Sequence, residues 1–514
     1  MLVGRQNDKG ARRQKSKPVR VRTAADVARR RPAGVVSSGA AVRASGPHPF
    51  SRAAENVTLY QYESRSKEAF DRIEKVLRQI AQHQHQVDFV TKAQEIAQRE
   101  LGFALPSSTL DKAWVSPLDV RSLYAWCVFE TFRRFADEFY TSRPLEQARD
   151  EGFQDFLESC GFHTLDFSPC ADGRLAHIIR YVLRLPHKAV RRKSYAGAMF
   201  DVEDSLQKWM ETELTRYREA KPNDVTAPTR YLKAAVYHYS GSQPDREGCA
   251  AHGSDAAKAA EGALSRLVDF RQGVENSFCC GASIDLLLIG IDTDNDAIRV
   301  HLPDADGSIG SDRYIDAMEI YQLTYGALSE QTAERVVGEL VEKKAESLSL
   351  NPLKGMKKLA ARLLLNNISQ IDYVRSYFGG CYRDIGHQER FIGMGIGFEE
   401  VQLRNLTYFA YLKTVEQGAK DLDVGVKIFT GLNINRGLPV PVVIRYDYHG
   451  NVPGARDRAV SRCRCLDVAM RTRFADQSRD GLLHTLLVVR DCSVEQSIEV
   501  VGSSLHLGST EDLH

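Results

Sequence analysis

No apolar run in the sequence approaches the roughly 20 residues that a membrane-spanning helix needs; the longest candidates, such as Asp285–Ile291, are strand-sized. A soluble protein with no membrane partner is expected. Cysteine is also scarce. Ten in 514 residues is far below the density of a disulfide-stapled scaffold, so a mostly reduced, intracellular chain is the expectation. In that setting a cysteine with a histidine partner points to metal or catalysis before it points to a bridge. Net charge is nearly absent too, at +2, and no nucleic-acid partner is expected.

The apolar share, 43%, is that of ordinary globular proteins, and the length suggests about three domains at roughly 150 residues each. The small net charge hides an asymmetry. Residues 1–50 carry 12 Lys and Arg against two Asp and Glu, a net of +10, which leaves the remainder at −8. An arm of this kind cannot bury enough apolar surface to fold alone and is suited to an anionic partner. It lacks the uninterrupted apolar segment of a secretory signal. We read it as a tether, in preference to a transit leader.

Between Asn56 and about Leu101 the pattern is helical, with Phe70, Ile73, Leu77 and Ile80 three and four apart. A second helix is predicted from Ser116 as N-cap and Pro117 as first residue, with Asp119 in the first turn. Its apolar face is Val120, Leu123, Cys127 and Phe135, and it stops before Pro144. Residues 51–145 thus read as a helical domain without chemistry, and His48, His83 and His85 read as surface residues. From 146 the texture turns to mixed α/β. Strands are predicted at Tyr231–Tyr239, Ile284–Ile291, Ala297–Leu302, Val440–Tyr446 and Thr485–Val489. Helices are predicted after a Ser254 cap, at 329–347 and at 356–376. Leu287-Leu-Ile-Gly-Ile-Asp292 is echoed by Leu486-Leu-Val-Val-Arg-Asp491 at an offset of 199, and Ile298 by Ile498 at 200. Val236-Tyr-His-Tyr-Ser-Gly241 is echoed by Arg445-Tyr-Asp-Tyr-His-Gly450 at 209. An old duplication accounts for this order better than chance.

The chemistry-bearing residues gather in two places. Cys170 opens Cys170-Ala-Asp172-Gly-Arg174, ahead of a predicted helix whose apolar face is Leu175, Ile178, Ile179, Val182 and Leu183 and which Pro186 ends. A thiol entering a helix N-terminus would have its pKa lowered by the macrodipole, and Asp172 and Arg174 are spaced to form an ion pair beside it. His238 lies at a predicted strand end, and Cys249 and His252 follow on a loop. Two cysteines and one histidine with an open fourth position describe a catalytic zinc, whereas structural zinc usually has four protein ligands. Spacing alone does not choose between His238 and His252. Three patterns are set aside. Asp292-Thr-Asp294-Asn-Asp296 lacks the Gly and Glu of a calcium loop and reads as a turn between strands. Gly393-Met-Gly395-Ile-Gly397 lacks dinucleotide-loop spacing. Cys279-Cys280 and Cys463-x-Cys465 read as core or reactive thiols.

Cys170-Ala-Asp172-Gly-Arg174 resembles the C-x-D-x-R of β-class carbonic anhydrases. Tyr237-His238-Tyr239-Ser240, Gly248-Cys-Ala-Ala-His-Gly-Ser254, Glu275-Asn-Ser-Phe-Cys-Cys-Gly-Ala282, Val424-Gly-Val-Lys-Ile-Phe429 and Gly437-Leu-Pro-Val-Pro-Val442 resemble the carboxysomal shell carbonic anhydrases, a divergent β-type (ε-class) family. The resemblance runs from about 55 to 510. It implies an α/β (α+β) chain with an N-terminal helical domain, a β-carbonic-anhydrase-like catalytic domain and a degenerate C-terminal copy. The division expected is a basic arm at 1–50, helices at 51–145, a catalytic domain at 146–395 and the copy at 396–514. It also implies one Zn²⁺ per chain on Cys170, His238 and Cys249, Asp172 and Arg174 as a catalytic dyad, and reversible CO2 hydration in a carboxysome beside Rubisco. His387 is a candidate proton shuttle. Expected partners are CO2 and bicarbonate, a second copy of the chain in a homodimer or larger assembly, and Rubisco or shell proteins through residues 1–50. The rivals are a scaffold with a structural zinc, for which His252 would serve as fourth ligand, and a zinc hydrolase or deaminase, whose signatures are missing.

Overall fold

The computed structural model describes residues 46–145, 152–186, 189–219, 229–278, 284–327, 332–410, 418–494 and 497–505; all that follows concerns 47–514. Cys279-Cys280 and most of the basic arm lie outside the described residues. Among those described, no helix is long and apolar enough to cross a membrane.

The helical region holds α1 (Ala53–Ala81), α2 (Phe89–Glu100), α3 (Ser107–Lys112) and α4 (Val120–Ser142). The stretch that reads as helical to Leu101 is broken at 82–88. There Gln84 leaves the helix and its side-chain amide donates to the Ala113 and Ser116 carbonyls, at 3.1 and 2.8 Å. His85 is exposed and His83 half-buried, but His48 is buried. Its ring stands 3.2 Å from the Tyr321 carbonyl and 3.0 Å from Thr324 Oγ1, and it accepts from the Phe50 amide. The expectation of a surface histidine fails because an N-terminal strand of chain is fastened there. The cap of α4 also differs from expectation. The Asp119 carboxylate accepts from the Ser122 amide at 3.0 Å, whereas Ser116 bonds back to Lys112, because a carboxylate one residue before the helix is better placed than a hydroxyl four residues away. The helix ends, as expected, before Pro144, with Arg143 left-handed at φ 45°.

Two sheets follow. The first is built from α5 (Phe153–Ser159), β1 (Phe162–Pro169), β2 (Arg191–Arg192), α6 (Val202–Arg218), β3 (Arg230–Tyr239), α7 (Ala256–Phe278), β4 (Ile284–Asp292), β5 (Ile298–His301) and β6 (Ile315–Asp316). Its order is β2-β1-β3-β4-β5-β6, parallel through β4 and antiparallel beyond. Continuous apolar strands such as β4 are buried along their whole length, as a helix-covered parallel sheet requires. Helices α8 (Ala317–Thr324), α9 (Ala333–Ser347) and α10 (Lys354–Phe378) lead to the second set: β7 (Phe391–Ile396), β8 (Thr407–Ala410), α11 (Ala419–Leu432), β9 (Val440–Tyr448), α12 (Ala455–Arg473), α13 (Ala475–Arg479), β10 (Leu483–Asp491) and β11 (Glu499–Ser503). Asp255, not Ser254, caps α7: its carboxylate accepts from the Ala257 and Lys258 amides, while Ser254 takes a left-handed φ of 64°.

The second sheet, read from β8, is β8-β7-β9-β10-β11, with the same strand senses as β2-β1-β3-β4-β5. The register agrees as well. His238 pairs with Ile291 and Asp447 with Arg490; Ile289 pairs with Val300 and Val488 with Val500. These pairs are related by the offsets 209, 199 and 200 seen in the sequence.

Candidate metal centre

Cys170 follows β1, its amide donating to the Val236 carbonyl at 3.0 Å. His238 is the penultimate residue of the neighbouring strand β3, and Cys249 caps a single 3₁₀ turn, Ala250–His252. The parallel pairing of β1 and β3 delivers the first two to the carboxyl edge of the sheet, where open α/β sheets build their sites. One sulfur or nitrogen from each of the three lies within 4.8 Å of the others, and all three residues are buried. Both ring nitrogens of His238 are buried without a hydrogen-bond partner, an imbalance that a bound cation would remove. Hydrogen bonding with Cys249, together with burial, pushes the Cys170 thiol well above the usual range, while the same bond pulls Cys249 down against its burial. His252 stands apart, its Nε2 3.1 Å from the Gly197 carbonyl. Gly197 was not singled out in the sequence, yet it donates its amide to Cys170 Sγ at 3.3 Å. Its φ is +67°, and an added Cβ would meet Ala251 and the His252 ring within 3 Å.

The helix expected after Arg174 is absent. In its place come a 3₁₀ turn at Gly173–Leu175 and a π-turn at Ile178–Val182. Side chains take carbonyls that a helix would have used: Arg192 binds those of Leu175 and Ala176, Asn367 that of Val182 and Asn366 that of Leu183. The apolar residues predicted for its face are all buried. No long helix dipole therefore points at Cys170, and that argument for a depressed thiol pKa falls.

Asp172 and Arg174 form a two-pronged pair. Arg174 Nε donates to Oδ1 at 2.9 Å and Nη2 to Oδ2 at 2.8 Å, while Nη1 is spent on the Glu247 and Ile385 carbonyls. Burial opposes ionisation of Asp172, but Arg174, His387 and His238 outweigh it and hold the carboxyl well below the usual range. Oδ2 is 3.5 Å from His238 Nε2 and 3.9 Å from His387 Nε2. Burial likewise works against the His387 cation, yet Asp172 and Glu389 raise its pKa to about 9. Glu389 escaped the sequence reading, because nothing in the polar run Arg383–Arg390 marks it as buried. Asp172, His387 and Glu389 make a second group of potential ligands within 4.8 Å, and both Asp172 oxygens also accept from Arg174.

The acidic turn Asp292–Asp296 does join two strands, but its carboxylates are buried. Asp294 takes Ser240 Oγ at 3.0 Å and the Ser242 amide at 2.7 Å, and Asp292 takes the Gly241 amide at 3.1 Å. Asp296 takes Tyr382 OH at 2.7 Å and lies 2.8 Å from His177 Nε2. The turn thus clamps both the loop after His238 and the segment after Arg174. Gly393–Gly397 belongs to a parallel strand and its exit, and Cys463 is buried and Cys465 exposed on α12.

In the second sheet, Asp447 holds the register of His238. Pairing places Gly395 beside Arg445, as Pro169 is beside Val236, so Ile396 stands where Cys170 does. Asp447 is tied to Arg445 at 2.6 Å, and Arg445 also pairs with Glu400 at 2.7 Å. An internal ion pair fills the position of the ligand set.

A C-x-D-x-R pair and a Cys2His cluster at the carboxyl edge of this parallel sheet match the pattern of β-type carbonic anhydrases. Comparison with known proteins narrows the class. Profiles described as Carboxysome Shell Carbonic Anhydrase match in three parts: N-terminal over residues 48–140, catalytic domain over 152–387 and C-terminal over 388–505. The chain is 53% identical over 466 residues to the carboxysome shell carbonic anhydrase of Prochlorococcus marinus MIT 9313, covering 90% of each. It is 52% identical to that of Parasynechococcus marenigrum WH8102, covering 89% of this chain and 79% of the relative. With that of Halothiobacillus neapolitanus it shares 44% identity, covering 89% and 90%. The chain belongs to the carboxysome shell carbonic anhydrase family.

Proposed function

We propose that this chain catalyses the reversible hydration of CO2 to bicarbonate inside a carboxysome, with one Zn²⁺ held by Cys170, His238 and Cys249. The observation that carries the reading is the buried Cys2His cluster with an unsatisfied imidazole, set beside an ion-paired carboxylate. Two thiolates and an imidazole suit borderline-soft Zn²⁺ and not the hard cations. Zinc held there would supply hydroxide near neutral pH by lowering the pKa of a water, an effect for which three-histidine carbonic anhydrases are the standard illustration.

The chain's own residues do the rest. Asp172, oriented by Arg174, accepts a hydrogen bond from the attacking hydroxide through Oδ2 and so turns a lone pair toward CO2. Arg174 stays fixed because its remaining donors are tied to the Glu247 and Ile385 carbonyls. His387, 24% exposed while Asp172 is 5% exposed, connects the closed site to solvent and in its neutral form, which grows as the pH approaches 9, receives the proton that hydration releases. The place of His252, outside the donor set, speaks against the four-ligand structural zinc of a scaffold.

The division into an arm, a helical domain, a catalytic domain at 146–395 and a metal-free copy at 396–514 belongs to the same proposal, supported by the repeated strand order and register. So do assembly into a homodimer or larger oligomer, and tethering through the arm to Rubisco or shell proteins, which would place CO2 production beside its consumer. The test is stopped-flow CO2 hydration with zinc content assayed on the same samples. Fast hydration with about one zinc per chain is expected; a zinc-replete, folded chain without hydration would leave a scaffold.

A further inference from the structure

Glu389 is the one buried carboxylate of the site that the mechanism above leaves unused. Its side chain is fully enclosed, and it touches the site at two points. Oε1 accepts from the Gly173 amide, in the middle of Asp172-Gly-Arg174, at 3.2 Å and lies 2.9 Å from His387 Nδ1. Oε2 is buried and has no partner. The fit against the turn is close: a Cβ on Gly173 would stand 2.5 Å from Glu389 Cγ and 2.6 Å from Oε1. Residue 173 is not held in the left-handed region, so its lack of a side chain serves to admit Glu389.

We propose that Glu389 is a positioning residue for proton transfer, fixing His387 in the tautomer that keeps its proton on Nδ1 and leaves Nε2 facing Asp172. The inference rests on the reading of this site as a carbonic anhydrase centre. A carboxylate only accepts, so in the neutral ring the proton between Glu389 and His387 belongs to Nδ1 and Nε2 carries the lone pair; below about pH 9 the ring is mostly the cation, protonated on both nitrogens. The acceptor nitrogen is then the one 3.9 Å from Asp172 Oδ2. In each hydration, water contributes hydroxide to CO2, giving bicarbonate, and its proton passes to Nε2, giving an imidazolium protonated on both nitrogens. A base in solvent removes that proton through the exposed edge of the ring and restores the starting tautomer. Without Glu389 the ring is free to turn over or to protonate the wrong nitrogen, and the path to solvent is lost while the zinc and the dyad stay.

The test compares wild type, Glu389→Gln, His387→Ala and the double variant in stopped-flow CO2 hydration, with zinc content and circular dichroism on each. Because kcat includes proton release to buffer and kcat/KM for CO2 does not, Glu389→Gln should lower kcat at least about tenfold in dilute buffer above about pH 9, where the wild-type His387 ring is neutral. It should leave kcat/KM near wild type, and concentrated imidazole buffer should restore kcat. The double variant should be no worse than His387→Ala, since the two act as a unit. The His387 imidazole, followed by NMR, should titrate at lower pH in Glu389→Gln. Wild-type kcat at every buffer concentration would overturn the proposal, and so would a parallel fall of kcat and kcat/KM without rescue. A zinc-loaded wild type that fails to hydrate CO2 would instead strike at the reading of the site.

Discussion

Replacing Asp172 by Asn keeps the shape of the carboxylate but gives Arg174 a partner that no longer carries charge or accepts with both atoms. We expect kcat to fall about 100-fold or more, in the range typical of a lost proton-handling group, with zinc retained at one per chain. A variant that keeps its rate would remove Asp172 from the mechanism. Zinc assays separate the histidines more simply: His238→Ala should lose the metal and His252→Ala should keep it. Spacing left these two open, because a ligand three residues from Cys249 looked as good as one eleven residues away. The pairing of β1 with β3 favours His238, by carrying it to the end of the strand beside Cys170. At the same scale, burial holds the His301 imidazole down to about 4, and His48 likewise. Unfolded, both protonate near 6.5, so the unfolded chain binds more protons in between. Their contribution is complete above about pH 6.5 and is lost as the pH falls toward 4, on the order of 2 to 3 kcal/mol for His301. Thermal midpoints from pH 7 to 4.5 should therefore fall, and His301→Gln should flatten the slope; an unchanged slope would refute this.

At the scale of elements, caps and turns give the clearest predictions. Asp119→Ala should cost about 1 kcal/mol of stability in denaturant titration and Ser116→Ala close to nothing, since only the former meets a free amide of α4. The sequence pattern made Ser116 attractive because Ser-Pro so often opens a helix; the chain instead spends three more residues before turning. The five strands read from the sequence are all present, whereas β1, which leads to Cys170, and β7 and β8 of the second sheet were not anticipated. Continuous apolar runs such as Ile284–Ile291 announce a covered parallel sheet, and their observed ends differ by a residue or two. The segment after Arg174 was the opposite case. Its apolar residues repeat with helical spacing and are buried as expected, yet distant side chains, Arg192, Asn366 and Asn367, compete for its carbonyls and draw it into tighter and wider turns. No local pattern reports such competition. Glu389 was invisible for a related reason: its burial depends on a glycine more than two hundred residues earlier.

At the scale of the molecule, the anchor at His48 bears on where the arm ends. The expected boundary at residue 50 cuts through His48 and Phe50, which are part of the packed body. Removing 1–45 should leave turnover and thermal midpoint unchanged while reducing incorporation into carboxysomes, measured as enzyme recovered in the purified particles. Full incorporation of the shortened chain would end the tether reading. A cut at 50 should lower stability as well, for the separate reason that it removes the His48 contacts to α8.

The repeated sheet has a consequence for the kinetics. Among the described residues, one half of the repeat holds the Cys2His donors and the other holds an Arg445–Asp447 pair in their place. Two like sites related by a two-fold axis can communicate, and such communication is read as a Hill coefficient different from one. With the single zinc site per chain proposed above, cooperativity in CO2 or bicarbonate saturation is expected to arise between chains and to vanish on dilution to isolated chains.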